Sequence, residues 1–161
     1  MHLCRNYLLL FLLVISSACN VQNIKPKTDS GELISDIANL NQTAQLAYQN
    51  EDWKTAERLY TKLTKEIPTE SQPWFRLGNI YARTERLDSA EISYKNALAR
   101  DSKNSKIWHN LGIVQLRQAT GTFIEMLEYT DADDPLNARA KNVVNSVTNL
   151  MSTGFETTAN E

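Results

Sequence analysis

Cysteine, histidine, glycine and proline are all scarce in this sequence, which has two Cys, two His, five Gly and four Pro among 161 residues. Two cysteines cannot build a disulfide framework or a thiolate metal site of the usual spacing. Charge of either sign is not in excess, since 17 Lys and Arg balance 19 Asp and Glu. The broad basic surface of a nucleic-acid-binding protein is therefore excluded. With 42% hydrophobic and 22% charged residues, the composition is that of one ordinary soluble domain.

Residue sets that carry chemistry are missing too. The sequence has no Gly-rich phosphate loop, no nucleophile elbow and no His, Cys, Asp and Glu set at metal-ligand spacing. His109 is interpreted as a groove or surface residue, and a Ser–His–Asp set with distant acids is the alternative. Asp131, Asp133 and Asp134 lack the pattern of a calcium loop, so they are interpreted as turn and capping residues. The sequence predicts a protein that is not an enzyme and needs no cofactor or metal.

Long hydrophobic runs are missing as well. The longest, residues 7–15, has nine residues, whereas a membrane-spanning helix needs about 20. It follows a basic start and precedes the small residues Ser16, Ser17 and Ala18. This is the pattern of a secretory signal peptide, which we assign to residues 1–18.

The small residues before Cys19 resemble the lipobox of bacterial lipoproteins, with Ser17 and Ala18 matching and Ser16 in place of the preferred Leu. The resemblance implies that cleavage occurs before Cys19, that its thiol receives diacylglycerol, and that its new amino group is acylated, for example with palmitate. Two or more acyl chains hold a protein stably at a membrane. Ordinary signal-peptidase cleavage nearby and an uncleaved anchor are the alternatives.

The polar stretch that follows is predicted to be a flexible linker, so residues 19–31 form a lipidated N-terminus and tether. Asn20 stands where Asp, by the sorting rule of that family, would favour the inner membrane. We therefore expect a lipid-anchored protein of the bacterial cell envelope, at the outer membrane and facing the periplasm. Cys4 is then discarded and Cys19 lipidated, which leaves the mature domain without a thiol.

A motif recurs at a fixed interval of 34 residues along the chain, from position 74 to position 108, called here the repeat interval. Trp74-x-x-Leu77-Gly78 returns as Trp108-x-x-Leu111-Gly112. The same interval separates Ala56 from Ala90, Tyr60 from Tyr94, and Leu40 from Trp74. This interval and these residue types resemble the tetratricopeptide repeat (TPR), whose units are stacked helical hairpins that bind other polypeptides.

The resemblance implies an all-α fold, a short right-handed α-solenoid of about three TPR-like hairpins plus a C-terminal capping helix. About seven helices are expected over residues 32–153, and residues 154–161 are expected to fray. Residues 50–52 are predicted to form the first turn, and Pro68 to end the second helix. Ser71 is predicted to cap the third helix, and Gly78 to meet Ala90 where the helices of the second hairpin cross.

The third unit is expected to diverge. Residues 119–122 are predicted to break its first helix, which leaves residues 123–129 as a separate short helix. Asp134 and Pro135 then open a last amphipathic helix that Gly154 ends. One apolar stripe on that helix would cover the end of the stack. Its residues are Leu136, Ala140, Val143, Val144, Val147, Leu150 and Met151.

In the TPR family the first helix of each hairpin lines an inner groove that clamps an extended peptide or its carboxylate. The matching positions, called here the predicted groove, are Asn41, Gln45, Tyr48, Phe75, Arg76, Asn79, Arg83, Lys106, His109, Asn110 and Arg117. Peptide-clamping members use Asn and Lys at the positions of Asn79 and Lys106, while Asn41 replaces an expected Lys. Four cations without an acid favour an acidic or carboxylate-bearing partner. The alternatives are ordinary exposed polar residues, or occupation by the chain's own acidic C-terminal helix.

Charge is distributed unevenly along the chain. Residues 50–117 carry 12 basic and 9 acidic side chains, net +3, whereas residues from 120 onward carry 2 basic and 7 acidic ones, net −5. Solvated helix faces account for such a split, and a weakly polarised binding surface is the alternative.

These features predict a noncatalytic, membrane-tethered lipoprotein that binds a partner protein or peptide through TPR repeats. Within that class it resembles pilotins and assembly factors for secretion or pilus machines of the cell envelope. A scaffold or regulator of periplasmic cell-wall enzymes is the second hypothesis, and an envelope enzyme is the third. No nucleic-acid partner is expected, and the sequence specifies no oligomeric state.

Overall fold

The computed structural model of the chain describes residues 30–154, and the side chains of residues 31–152. This range contains six helices and no strand. In chain order they are α1 (Ser30–Gln49), α2 (Trp53–Glu66), α3 (Ser71–Arg83), α4 (Leu87–Leu98), α5 (Ser105–Leu127) and α6 (Pro135–Gly154). From α2 onward each helix packs against the next one in the sequence. The predicted all-α array of helical hairpins is confirmed, with six described helices where about seven were expected.

The N-terminal predictions concern another part of the chain. The signal peptide, Cys19 and the linker up to residue 29 lie outside the described residues, as does the tail from residue 155. Ser30 and Gly31, predicted to lie in the linker, belong to helix α1 instead, two residues before the predicted start of the domain. The unit that contains the hairpins extends from Ile34. None of the six helices described combines the length and the apolar character needed to cross a membrane.

The repeat interval is visible in the backbone of the first two hairpins (α1–α2 and α3–α4). Glu51 and Glu85, separated by this interval, have left-handed backbones with φ of 56° and 59°. The residue that follows each of them bonds back to the preceding helix: Asp52 N donates to Ala47 O and Arg86 N donates to Tyr81 O, each over 2.9 Å. A left-handed residue followed by a bond back into the last turn is a common way to end a helix. The predicted turn at residues 50–52 is confirmed.

Two clusters of buried side chains form the core. The first joins α1, α2 and α3 through Ala44, Ala56, Leu59, Tyr60, Leu63, Leu77 and Ile80. The second joins α4 and α5 through Ala90, Tyr94, Ala97, Leu98, Ile107, Leu111 and Val114. Trp74 and Tyr81 of α3 pack against both clusters. Helix α3 therefore connects the two hairpins into one packed array.

The second hairpin is tightest at Gly78. A Cβ atom at this position would lie 2.5 Å from Cδ1 of Tyr94, far closer than two carbon atoms can pack. The Tyr94 ring is 1% exposed, so it has little room to move. The close approach predicted for Gly78 is present, but its nearest neighbour is Tyr94 rather than Ala90.

The third hairpin (α5–α6) departs from the repeat. Helix α5 runs unbroken over 23 residues, so the predicted break at residues 119–122 and the separate short helix after it are wrong. Ala119 stands one repeat interval after Glu85, where a left-handed turn residue would be needed. Alanine is the strongest helix former, and the left-handed conformation costs a non-glycine residue about 1 kcal/mol or more. Gly121 costs the helix only about 1 kcal/mol relative to alanine and does not stop it.

Two predicted helix starts have different outcomes. Asp134 caps α6 as predicted, because its Oδ1 accepts a hydrogen bond from Leu136 N over 2.8 Å. The cap predicted at Ser71 is wrong, because α3 already begins at that residue. Glu70 occupies the cap position and makes no side-chain cap bond. The structure describes helix α6 as far as Gly154, the residue at which the sequence predicts its end.

The end of the array is less covered than the sequence predicts. Asn137 and Ala140 are the buried residues of α6, whose described contacts are with α5. Leu136 and Leu150, both assigned to its apolar stripe, are each 49% exposed. Trp108, at the position where Trp74 packs into the core, is 55% exposed.

Trp74 and Trp108 also differ in their indole hydrogen bonds. Trp108 Nε1 donates to Ser102 O over 2.9 Å. The carbonyl one repeat interval earlier belongs to Pro68, and it accepts a hydrogen bond from Arg100 Nε instead. The Arg100 guanidinium also lies 4.9 Å from the centre of the Trp74 ring. Within the described part of the chain, Trp74 Nε1 is buried and has no hydrogen-bond partner.

Candidate peptide-binding groove

The predicted groove residues come from the first helix of each hairpin: α1, α3 and α5. Six of them are half-buried, namely Tyr48, Phe75, Arg76, Asn79, Asn110 and Arg117. The other five are exposed, namely Asn41, Gln45, Arg83, Lys106 and His109. The half-buried residues make most of the side-chain contacts that link the three helices.

Arg76 and Tyr48 link α3 to α1. The Arg76 guanidinium lies 4.7 Å from the centre of the Tyr48 ring, an arrangement that attracts a cation to an aromatic face. The same ring meets Trp53 edge-on, with the ring centres 5.4 Å apart. Arg76 is therefore positioned by an aromatic support rather than by an acid.

Asn79 and Asn110 link α3 to α5. Asn79 Oδ1 accepts two hydrogen bonds, one from Tyr94 Oη over 2.8 Å and one from Asn110 Nδ2 over 2.9 Å. Burial raises the pKa of the Tyr94 hydroxyl, which remains a donor at neutral pH. No hydrogen bond among the described residues uses the Asn79 amide donors. The predicted role of Asn79 as a donor to a peptide backbone is compatible with this geometry.

Arg117 differs from its prediction as an unpaired groove cation. Its guanidinium donates to Ala82 O over 3.1 Å and forms a salt bridge with Glu85, which is 75% exposed. Glu85 was not in the predicted groove. The prediction of four cations without an acid is therefore wrong at Arg117, which has an acid beside it. Arg83 lies over the Trp53 ring, 5.5 Å from its centre. Lys106 takes part in no salt bridge of the described residues.

Sequence reasoning missed three residues of this surface. Tyr94 supplies a hydroxyl to Asn79 and packs beside Phe75, with ring centres 6.1 Å apart. Trp53 supports Arg83, and Glu85 neutralises Arg117. Glu85 follows Glu51 by one repeat interval, and each lies in a short turn between two helices. This spacing is the sequence signal that could have assigned Glu85 to a left-handed turn. Tyr94 could have been found as the large residue that faces the missing side chain of Gly78.

Two clefts lie elsewhere on the surface. One of about 510 Å³ is lined by Lys54, Glu57, Arg58, Thr61, Lys62 and Lys65 of α2. The other, of about 390 Å³, is lined by Thr61, Thr64, Lys65, Trp74, Leu77, Tyr81, Ser89, Ile92 and Ser93. Neither includes a predicted groove residue. The residues described contain no group of three or more His, Cys, Asp and Glu side chains that could hold a metal ion.

Comparison with known proteins gives matches of structure only. No protein-family model matches the chain, and no curated protein matches it in sequence. The structure is similar to the first TPR of Spaghetti (RPAP3) bound to the HSP90 peptide SRMEEVD, with 18% identity and a TM-score of 0.48 over 73% of this chain and 96% of that one. It is also similar to the Arabidopsis OM64 TPR domain, with 17% identity and a TM-score of 0.49 over 73% of this chain and 98% of that one.

Proposed function

We propose that this chain is a noncatalytic adaptor that binds a carboxylate-rich segment of another protein along the predicted groove. The observation that carries the proposal is the row of side-chain contacts across α1, α3 and α5. Tyr48 meets Arg76, Asn79 meets Asn110, and Arg117 reaches the backbone of Ala82. These contacts join the first helices of all three hairpins into one continuous surface.

The groups left for a partner on that surface are donors. Asn79 has its amide donors, Lys106 its ammonium, and Arg76 a guanidinium held by an aromatic ring. Carboxylates bind such groups through charge-assisted hydrogen bonds, which are about twice as strong as neutral ones. The pair of Arg117 and Glu85 lowers the net positive charge at one end. We therefore expect the partner's acidic groups near Lys106 and Arg76, away from Glu85.

The finer form of the proposal concerns the membrane. The signal-like residues 1–18 and the lipobox resemblance at Cys19 support an acyl-tethered protein at the outer membrane. A tethered binding surface would serve as an assembly factor, pilotin-like, for a secretion or pilus machine of the envelope.

Peptide binding tests the groove. The probes are labelled heptapeptides rich in Asp and Glu, with a free or an amidated C-terminal carboxylate, and the measurement is fluorescence anisotropy. Arg76→Glu with Lys106→Glu should weaken binding at least about tenfold, because like charges replace attractive ones. Lys103→Glu, an exposed lysine just before α5, is the matched control and should bind normally. Equal affinity for all variants at unchanged helicity would refute the groove.

Fractionation tests the tether and the partner class. Cys19→Ser should move the protein from the membrane to the soluble fraction, and retention at the membrane would refute lipid anchoring. Crosslinking in intact envelopes should then recover a component of a secretion or pilus machine. Recovery of cell-wall enzymes instead would favour the scaffold alternative.

A further inference from the structure

A basic surface covers the exposed side of α2. It consists of Lys54, Arg58, Lys62 and Lys65, which are all exposed and line the cleft of about 510 Å³. Their spacing of four, four and three residues places them on one side of the helix. No salt bridge of the described residues uses any of the four. Two acids lie near them: Glu57 is bound to Arg86 over 2.7 Å, and Asp52 accepts the capping hydrogen bond from Thr55 N over 3.1 Å.

An acidic surface surrounds the connection between α5 and α6. It consists of Glu125, Glu128, Asp131, Asp133 and Asp134, five acids within ten residues. No salt bridge in residues 30–154 uses them. Tyr129 lies in their midst and is 81% exposed, the highest value among the exposed large hydrophobic residues of the described chain. An aromatic side chain at the centre of a polar surface is a common anchor of protein interfaces.

Hydrogen bonds hold the acidic connection at both ends. Asn137, 5% exposed, donates from Nδ2 to Thr130 O over 3.2 Å and to Thr130 Oγ1 over 3.0 Å. The Thr130 hydroxyl donates to Met126 O, and Asp134 N donates to Asp131 O over 3.1 Å. Tyr129 is therefore presented from a segment held at both ends. A surface ordered before binding loses less conformational entropy on association.

Each surface repels itself in the isolated chain. Like charges three or four residues apart on a helix destabilise it by a few tenths of a kcal/mol per pair, which applies to Lys54, Arg58 and Lys62. The two surfaces do not meet within one molecule: α2 packs on α3, and α6 packs on α5. The partner that relieves both repulsions is a second copy of this chain.

We propose that the acidic connection of one copy docks on the α2 cleft of the next, with Tyr129 among the four cations. The contact uses opposite charges and a cation–aromatic attraction, both present on the same chain. It is a heterologous contact, since the two surfaces differ, and therefore generates a row or a ring of copies. The proposal is independent of peptide binding in the predicted groove.

A charge exchange tests it, with sedimentation equilibrium of the full chain as the measurement. One variant carries Lys54→Glu, Arg58→Glu and Lys62→Glu, and the other carries Glu128→Lys, Asp131→Lys and Asp133→Lys. The wild type should self-associate, more weakly in about 0.5 M salt, which screens exposed charges. Each variant alone should associate at least about tenfold more weakly. Their equimolar mixture should associate again, because each reversed surface then meets its complement.

The controls separate this contact from others. Association through the N-terminal hydrophobic segment is common to all variants and insensitive to the exchange. Arg76→Glu with Lys106→Glu should leave self-association unchanged, and Tyr129→Ala should weaken it at unchanged helicity. A wild type that stays monomeric, variants that associate like the wild type, or a mixture that fails to associate would each overturn the proposal. Binding of the α2 cations to phosphatidylglycerol vesicles without self-association would overturn it too and assign the cleft to anionic lipid.

Discussion

The second and third hairpins carry the same Trp-x-x-Leu-Gly motif but pack differently. Gly78 lies against the Tyr94 ring, whereas nothing lies within 4 Å of a Cβ atom added at Gly112. The second hairpin turns back at Glu85, while α5 continues through Ala119. The motif residues therefore specify the first helix of a unit, and the returning helix decides how they pack.

Substitutions of the two motif glycines should show the difference between the second and third hairpins with the largest effect. Gly78→Ala should lower the free energy of unfolding by about 2 kcal/mol, because its Cβ would overlap the buried Tyr94 ring. Gly112→Ala should raise it by about 0.5–1 kcal/mol, because alanine favours the helix and the space is open. Urea unfolding measures both. Changes of the same sign would show that the two hairpins pack alike.

Tyr94→Phe should have the next largest effect. The loss of its hydrogen bond to Asn79 should cost about 1 kcal/mol at neutral pH. Burial raises the pKa of Tyr94 above its unfolded value, so the folded chain keeps this proton longer. The stability that this hydroxyl contributes is fully present below its unfolded pKa of about 10. It is lost as pH rises from there through the higher folded pKa.

The measurement is the urea midpoint as a function of alkaline pH. Tyr94→Phe should lose stability less steeply than the wild type between about pH 10 and 12. Some slope should remain, because burial also raises the pKa values of Tyr60 and Tyr81. The third hairpin has no equivalent tyrosine, because Glu128 stands one repeat interval after Tyr94. Parallel curves for the two proteins would contradict the assignment.

Turn substitutions should give smaller effects of opposite sign. Glu51→Gly should raise the free energy of unfolding by about 0.5–1 kcal/mol, because glycine adopts the left-handed backbone without strain. Ala119→Gly should lower it by about 1 kcal/mol, because this position is helical. Thermal unfolding followed by circular dichroism measures both. A stabilising Ala119→Gly would mean that the third hairpin has the turn after all.

The salt bridge of Glu57 and Arg86 should give the smallest effect. The bond joins α2 to the turn before α4 at 2.7 Å, and the equivalent pair in the next unit would be Glu91 and Thr120. The hydrogen bond from Arg86 lowers the pKa of Glu57. Its stabilisation is therefore present above the unfolded pKa and lost as pH falls through the lower folded value. Both side chains are partly exposed, so Glu57→Gln should cost about 0.5 kcal/mol at pH 7.

Acid unfolding provides the check for this pair. The difference between Glu57→Gln and the wild type should disappear at about pH 2–3, where the carboxylate is protonated. Arg86→Gln should lose the same contribution in acid but keep a residual cost, because Arg86 also donates to Thr84 and lies 4.5 Å from the centre of the Tyr81 ring. The double variant should therefore add little to Arg86→Gln. A difference between Glu57→Gln and the wild type that persists in acid would assign the effect to packing.

The sequence predicts this fold well where local rules decide. The repeat interval located the first turn at residues 50–52, and Asp134 with Pro135 located the start of α6. The prediction was wrong at residues 119–122. Gly121 suggested a helix break there, whereas Ala119 favours the helix and α5 continues. The groove helices were also predictable, but the pairing of Arg117 with Glu85 was not. A sequence motif gives positions along a helix and does not show which neighbour on another element neutralises a charge.

The different indole environments have an optical consequence. Each hairpin holds one tryptophan: Trp53 lies beneath Arg83, Trp74 is half-buried with an N–H that has no partner among the described residues, and Trp108 is 55% exposed. Indole emission moves to longer wavelength as the ring becomes hydrated. Opening of the second hairpin should therefore shift the emission maximum, whereas opening of the third should leave it almost constant. Stacked repeats lose their terminal units first when those units have the weakest interfaces. Single-tryptophan variants would therefore report, unit by unit, the order in which this array comes apart.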